Sequence, residues 1–266
     1  MLMNEEKKPL LRADGNRLDG RGLHELRPIT MKTGVLNRAD GSCYLTWGNN
    51  KIICAVYGPR ELHPKHLAQP DKAIVRVEYR LATFSVGERK SPAPRRREYE
   101  LSKIIKESLE SILFLEKFPN GTIDLFITVL DADGGTRCAA LTAASLGLAD
   151  AGIPMRGLVT GCAVGKVEGK MVVDLADIED KEGDGDMPVA MVHNTGEITL
   201  LQSDGKFTVD EVSEGIGLAR DAIGEIYLIQ REALMSTFGQ IPESSDETQE
   251  DEDDDELGEE DDFDEE

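Results

Sequence analysis

Three short stretches hold residues whose types and spacing suit chemistry on phosphate. The first, Arg95-Arg96-Arg97-Glu98, stands where a helical period begins, so its guanidinium groups meet the positive end of a helix dipole. That placement opposes helix stability and suits the holding of an anion. A basic run at a helix start is also what a solvated face shows. The second, Asp133-Gly134-Gly135-Thr136-Arg137, lies between a strand pattern and an Ala- and Leu-rich helix pattern. Adjacent glycines let backbone N–H groups come close to a ligand, the Thr136 hydroxyl adds a donor, and the planar Arg137 guanidinium matches phosphate oxygens. A tight turn capping a helix is the plainer reading of the same residues. The third is the acidic run from Asp174 to Asp186, which also holds Asp177, Glu179, Asp180, Glu182 and Asp184. Crowded carboxylates can hold Mg²⁺ or Mn²⁺, and like charges at close range can raise one carboxyl's pKa until it serves as an acid. The spacing is not that of an EF-hand, and a solvated acidic turn is the plainer alternative.

Elements of alternating type must position these stretches. Strand patterns run through ITMKTG from Ile29, SCYLTWG and KIICAVYG, the last two joined by a turn at Gly48-Asn49-Asn50. In AIVRVEYRLA, Ala73, Val75, Val77, Tyr79 and Leu81 share one face and Arg76, Glu78 and Arg80 the other, so one side of that strand is wet. The period then changes: Leu101, Ile104, Ile105, Leu109, Ile112 and Leu113 predict an amphipathic helix over 95–117. TIDLFITVL predicts a strand and CAALTAASLGLADAG a buried helix, closed by Gly152 and Pro154. Strands LVTGCAVGKV, KMVVDLA, MPVAMVH and EITLLQ follow, and a last helix opens at a Thr208/Glu211 capping box. The order, strands, helix, strand, helix, strands, helix, predicts one α+β domain over 18–241, after a polar arm over 1–17.

Charge is unevenly spread. Of 52 acidic residues, 17 lie in 243–266 with no Lys or Arg, which leaves 35 acids against 30 bases for the rest. The formal charge of −22 therefore misdescribes a body of about −5, which can still carry a basic groove for a polyanion. The segment 242–266 is expected to be a disordered, self-repelling tail. Cys43, Cys54, Cys138 and Cys162 form no metal-ligand spacing, which fits a reduced, cytoplasmic setting, and no apolar run suggests a membrane span or signal peptide.

Taken together, LDGRG, YLTWGNNKIICAVYGPRE, HPKHLAQPDKAIVRVEY, ERKSPAPRRREYELSKII, DADGGTRCAALTAASLGLADAGIPMR and EGDGDMPVAM resemble the RNase PH family, in its archaeal exosome form, from about Leu18 to Phe238. The resemblance implies an RNase PH-type fold of two related β-α lobes and a phosphate-dependent 3′-to-5′ exoribonuclease. It implies a hexameric ring, a trimer of dimers, shared with an inactive sister subunit, with RNA-binding cap proteins and RNA 3′ ends as further partners. Inorganic phosphate is then the co-substrate, held by Arg97, Gly134, Gly135, Thr136 and Arg137. Asp180 is the implied general acid, and Asp186 holds Mg²⁺ (or Mn²⁺) or orients the scissile phosphate. Arg89, Lys90 and Arg96 are implied to hold the RNA 3′ end, and Lys65 and His66 to line the pore neck. Two alternatives stay open: a bacterial-type homohexamer trimming transfer RNA, and a non-catalytic ring subunit that binds RNA.

Overall fold

A strand that alternates one apolar and one polar row must lay the apolar row on something, and here both sheets lay it on helices. In a computed structural model, which describes residues 9–238, β1 (Ile29–Thr33), β2 (Gly41–Trp47) and β3 (Asn50–Glu61) form an antiparallel meander. β4 (Ile74–Leu81) runs parallel to β5 (Gly121–Asp131), and β5 joins β3, giving the order β1-β2-β3-β5-β4. The connection between β4 and β5 carries α1 (Arg96–Glu110), which packs back on β4. α2 (Thr136–Asp150) follows β5 directly.

The second sheet contains β6 (Val159–Val167), β7 (Lys170–Val173) and β8 (Gly185–Val192), while β9 (Glu197–Leu201) and β10 (Asp204–Gly205) share the free edge of β8. A short helix, α3 (Asp177–Glu182), interrupts the acidic run, and α4 (Val209–Phe238) closes the described chain. α2 is apolar on all sides, and every residue from Cys138 to Leu148 is buried. It packs on β2 and β3 of one sheet and on β6 of the other, so a single core joins Leu45, Ile52 and Ile127 to Val164, Val189 and Ile223. The expected α+β architecture of two β-α lobes is what the chain forms. At α4 the capping box is present: Thr208 N–H donates to Glu211 Oε2 at 2.8 Å and Glu211 N–H to Thr208 Oγ1 at 3.2 Å.

Two expectations need correction. The helix expected over 95–117 ends at Glu110, because Leu113 leaves it to bridge Met155 and Leu115–Lys117 forms a separate 3-10 turn. Ile112 and Leu113 kept helical spacing only because both are buried where the chain returns to the sheet. The arm expected over 1–17 is packed from Leu10 onward: Leu10 and Leu11 share a small core with Val167, Val172 and Leu175, and Arg17 is fully buried. The tail expected over 242–266 lies outside the described residues. Among those residues no helix is long and apolar enough to cross a membrane, and all four cysteines are free and buried.

Candidate active site

The parallel connection and the α2 helix bring separate stretches to one end of the core. There a cleft of about 560 Å³ is lined by Arg97, Gly134, Gly135, Thr136, Arg137, Asp180 and Asp186, together with Asp177, Lys181, Gln202 and Asp204. Every residue expected to bind phosphate, act as acid or hold a metal therefore meets on one surface. A second cleft of about 580 Å³ adjoins it, sharing Leu81, Val86, Arg97, Asp177 and Lys181 and adding Arg89, Lys90 and Arg95.

Each wall has a local cause. Gly134 and Gly135 both take left-handed backbone, φ +68 and +66, which turns the chain from the end of β5 into α2. A Cβ on Gly134 would lie 2.6 Å from Ala176 C and 2.7 Å from Asp177 N, so the glycine lets the loop rest directly on the backbone that starts α3. Thr136 and Arg137 open α2, where amide groups lack intrahelical acceptors and favour an anion. The buried Tyr79 hydroxyl lies 3.1 Å from Thr136 Oγ1 and donates to it; burial pushes the Tyr79 pKa up to about 12, so it remains a donor. Arg137 Nη1 donates to Gln202 Oε1 at 2.6 Å.

α3 sorts the acidic run. Glu179 turns inward to Arg17, whose Nε donates to Glu179 Oε1 at 2.8 Å, and Asp177 pairs with Lys181 at 2.6 Å. Asp184 accepts from the Gly169 amide at 3.1 Å, on the far side of the hairpin. Asp180 and Asp186 line the cleft with Asp177 and, unlike it, form no ion pair among the described residues. Burial, with a contribution from Asp177, pushes the Asp180 carboxyl above its usual 3.8 and outweighs the pull of Arg97 and Arg137. Burial, then Asp180 and Asp204, likewise raise Asp186 above 3.8 against Arg137 and Arg97. The rise expected from crowding thus comes first from burial. Glu179 belongs to the support, not to the crowd.

Beneath the site lies a buried ionic frame. Asp174, itself at positive φ, accepts from Arg27 Nη2 at 2.7 Å and Nε at 3.0 Å and from Arg21 Nη1 at 3.2 Å. Burial works to raise the Asp174 pKa, but the Arg27 bonds and charge prevail and hold it below 3.8. Arg27 also donates to the Asp133 carbonyl, and Asn50 Nδ2 donates to the Gly134 carbonyl at 2.7 Å. Sequence reasoning missed Arg17, Arg21, Arg27, Asn50, Tyr79 and Gln202 as parts of the site. The density of arginines over 12–27 is the one signal that pointed at the frame.

The remaining expected residues divide. Arg89 and Arg96 are exposed, Arg89 on the adjoining cleft and Arg96 on neither. Lys90 lines the adjoining cleft but is largely buried, its Nζ 2.6 Å from Glu98. Lys65 and His66 lie in an exposed 3-10 turn outside both clefts, with Lys65 paired to Glu61 at 2.6 Å. For a metal, Asp180 and Asp186 offer carboxylates on the open side, and among the described residues no cluster of three or more His, Cys, Asp and Glu forms a closed cage. That set fits Mg²⁺, which is commonly held by one or two carboxylates while water and substrate phosphates supply the rest.

Comparison with known proteins bears on the same surface. Residues 25–154 match the model of the 3′ exoribonuclease family, domain 1, and residues 157–222 its domain 2. The chain is 56% identical over 241 residues to the exosome complex component Rrp41 of Pyrococcus abyssi, covering 91% of this chain and 97% of that one. It is 55% identical over 243 residues to the Rrp41 of Thermococcus onnurineus, covering 91% and 98%. Its fold is similar to that of rice Rrp46, with a TM-score of 0.73 and 26% identity over 82% of this chain and 100% of the other. It also matches a chain of an Archaeoglobus fulgidus exosome with RNA bound to the active site, at TM-score 0.69 and 22% identity over 80% and 92% of the two chains.

Proposed function

The chain belongs to the 3′ exoribonuclease family, and from that premise we propose that it is the catalytic, phosphate-dependent subunit of an exosome, shortening RNA from its 3′ end. The observation that carries the reading is the convergence of Arg97, Arg137, Asp180 and Asp186 on one cleft. A ring subunit that only binds RNA has no need of all four, and the Rrp41 relatives favour the exosome over a bacterial-type homohexamer.

The mechanism follows from charge. Both reactants, inorganic phosphate and an RNA phosphodiester, are anions, so the cost of bringing them together must be offset. Arg97 and Arg137 supply positive charge, while Thr136 and the first amides of α2 supply directed donors. A phosphate oxygen attacks the terminal phosphorus as its bond to the ribose 3′ oxygen breaks. Asp180, its pKa raised, gives that oxygen a proton. One nucleoside diphosphate leaves, and the RNA is shorter by one nucleotide. Asp186 would hold Mg²⁺ or Mn²⁺, which when bound supplies positive charge at the scissile phosphate. Arg89 on the adjoining cleft and Arg96 beside it would hold the RNA backbone. Lys65 and His66 would line the neck of a hexameric pore, built as a trimer of dimers with an inactive sister subunit and capped by RNA-binding proteins.

The test is the chemical form of the product. With the sister subunit and Mg²⁺ present, degradation should require inorganic phosphate and release nucleoside diphosphates, and excess diphosphate should drive 3′ tailing. Release of nucleoside monophosphates without phosphate would overturn the reading. Full activity of the chain as a homohexamer would replace the exosome assignment.

A further inference from the structure

We propose that Gln202 is a positioning residue of the anion site: it turns Arg137 so that one edge of the guanidinium is held and the other is presented to the attacking phosphate. The proposal rests on the phosphorolytic reading above and adds to it a residue outside the three motifs that carried it.

A guanidinium has two faces for a two-oxygen anion, and the side edge is made by Nε and Nη2. Elsewhere in this protein that edge takes a carboxylate: Arg17 gives Nε and Nη2 to Glu179, and Arg76 gives Nε and Nη2 to Asp124 at 2.6 and 2.9 Å. Arg137 differs. Its Nη1 donates to Gln202 Oε1, while its Nε is buried and has no partner among the described residues. It forms no ion pair among those residues, although Asp180 and Asp186 line the same cleft. A buried donor without an acceptor is costly, and a bound oxyanion would satisfy it.

The chemistry of the partner matters as much as its place. Arg137 can only donate, so the amide must offer its oxygen. A neutral oxygen fixes the guanidinium without cancelling its charge, whereas a carboxylate there would both hold Arg137 and compete with the incoming anion. Gln202 is itself well anchored. It lies between β9 and β10 on the shared edge of β8, and its backbone N–H donates to the Pro188 carbonyl at 3.2 Å. The strand that carries Asp186 at one end thus also fixes the residue that orients Arg137.

The experiment uses the ring assembled with its sister subunit, with phosphate varied at saturating RNA and RNA varied at saturating phosphate. Gln202→Met keeps length and volume but removes the acceptor. It should raise the KM for phosphate about tenfold, as loss of one hydrogen bond to a charged group implies, and leave the KM for RNA and the melting temperature near the parent's. Gln202→Glu keeps an acceptor and adds a charge; it should raise the phosphate KM at least as far while RNA binding persists. A phosphate KM within about twofold of the parent in both variants, or parallel losses in phosphate, RNA and thermal stability, would overturn the proposal. The parent serves as the control for the premise. If its decay needs no phosphate, the phosphorolytic reading fails first, whereas a phosphate-dependent parent with insensitive variants sinks the role of Gln202 alone.

Discussion

Asp180 faces opposing demands, because the burial that makes it a usable acid also makes its charge a burden on the fold. Its pKa is raised on folding from the usual 3.8, so the folded state prefers the proton, and that preference becomes a loss of stability as the pH rises through the unfolded value. Asp180→Asn removes the proton donor and the burden together. It should abolish phosphorolysis and the reverse polymerisation alike, by microscopic reversibility, while the melting temperature at pH 7 stays level or rises. Asp177→Asn and Glu182→Gln should keep rates within a few-fold of the parent, since neither side chain carries the proton. Single-turnover release of nucleoside diphosphate, paired with thermal melts, separates the two effects. If Asp180→Asn kept near-parent rates, Asp186 and its metal would become the candidates for stabilising the leaving oxygen. The four central residues were legible because each sits in a short run of unusual chemistry. Gln202 and Tyr79 were not, because each ends or interrupts an ordinary apolar strand and acquires its role only from what lies across the cleft.

At the scale of elements, the site depends on how α1, α2 and α3 are fastened to the sheets. Glu98 fastens α1: its carboxylate accepts from the Leu81 amide at 2.9 Å and the Arg95 amide at 2.8 Å and pairs with Lys90 at 2.6 Å. Glu98→Ala leaves Lys90 buried without a counter-ion, a change that costs about 3–5 kcal/mol, and should lower the melting temperature and displace Arg97. Burial works to raise the Glu98 pKa, but the Leu81 amide, Lys90 and the Arg95 amide prevail and lower it from 4.5. Its contribution is therefore complete above that value and is lost as the pH falls through the lowered one. A plot of stability against pH should show that acid-side loss in the parent and a smaller one in Glu98→Ala. Gly134→Ala tests α3 in the same way, since the added Cβ meets backbone at under 3 Å and must push Asp177 and Asp180 away from Arg137. It should cost both stability and rate. Nearly every strand and helix was readable from period, because period reports burial. The end of α1, the short α3 and the folding of residues from Leu10 were not, because each is decided by a distant contact: Met155, Arg17 and the Val167–Leu175 cluster.

Across the whole molecule, charge is divided between a body near balance and an acidic C-terminal sequence. The clefts present Arg89, Arg95, Arg97 and Arg137, whereas 17 acids and no bases occupy 243–266. Like charges repel through water over a distance set by salt, about 10 Å at 0.1 M. A chain ending at Pro242 should therefore bind RNA faster and more tightly than the full chain at low ionic strength, with the difference shrinking as salt rises. Its rate at saturating RNA and phosphate should be unchanged, since the residues that carry the chemistry lie within 97–202. The measurement is RNA association by stopped flow for both chains, each assembled with the sister subunit, from about 0.01 to 0.5 M salt. A general field predicts converging curves. If the shortened chain instead bound RNA more weakly at every salt concentration, the acidic sequence would be contributing contacts of its own, and the subtraction that treats the body as electrically separate would fail.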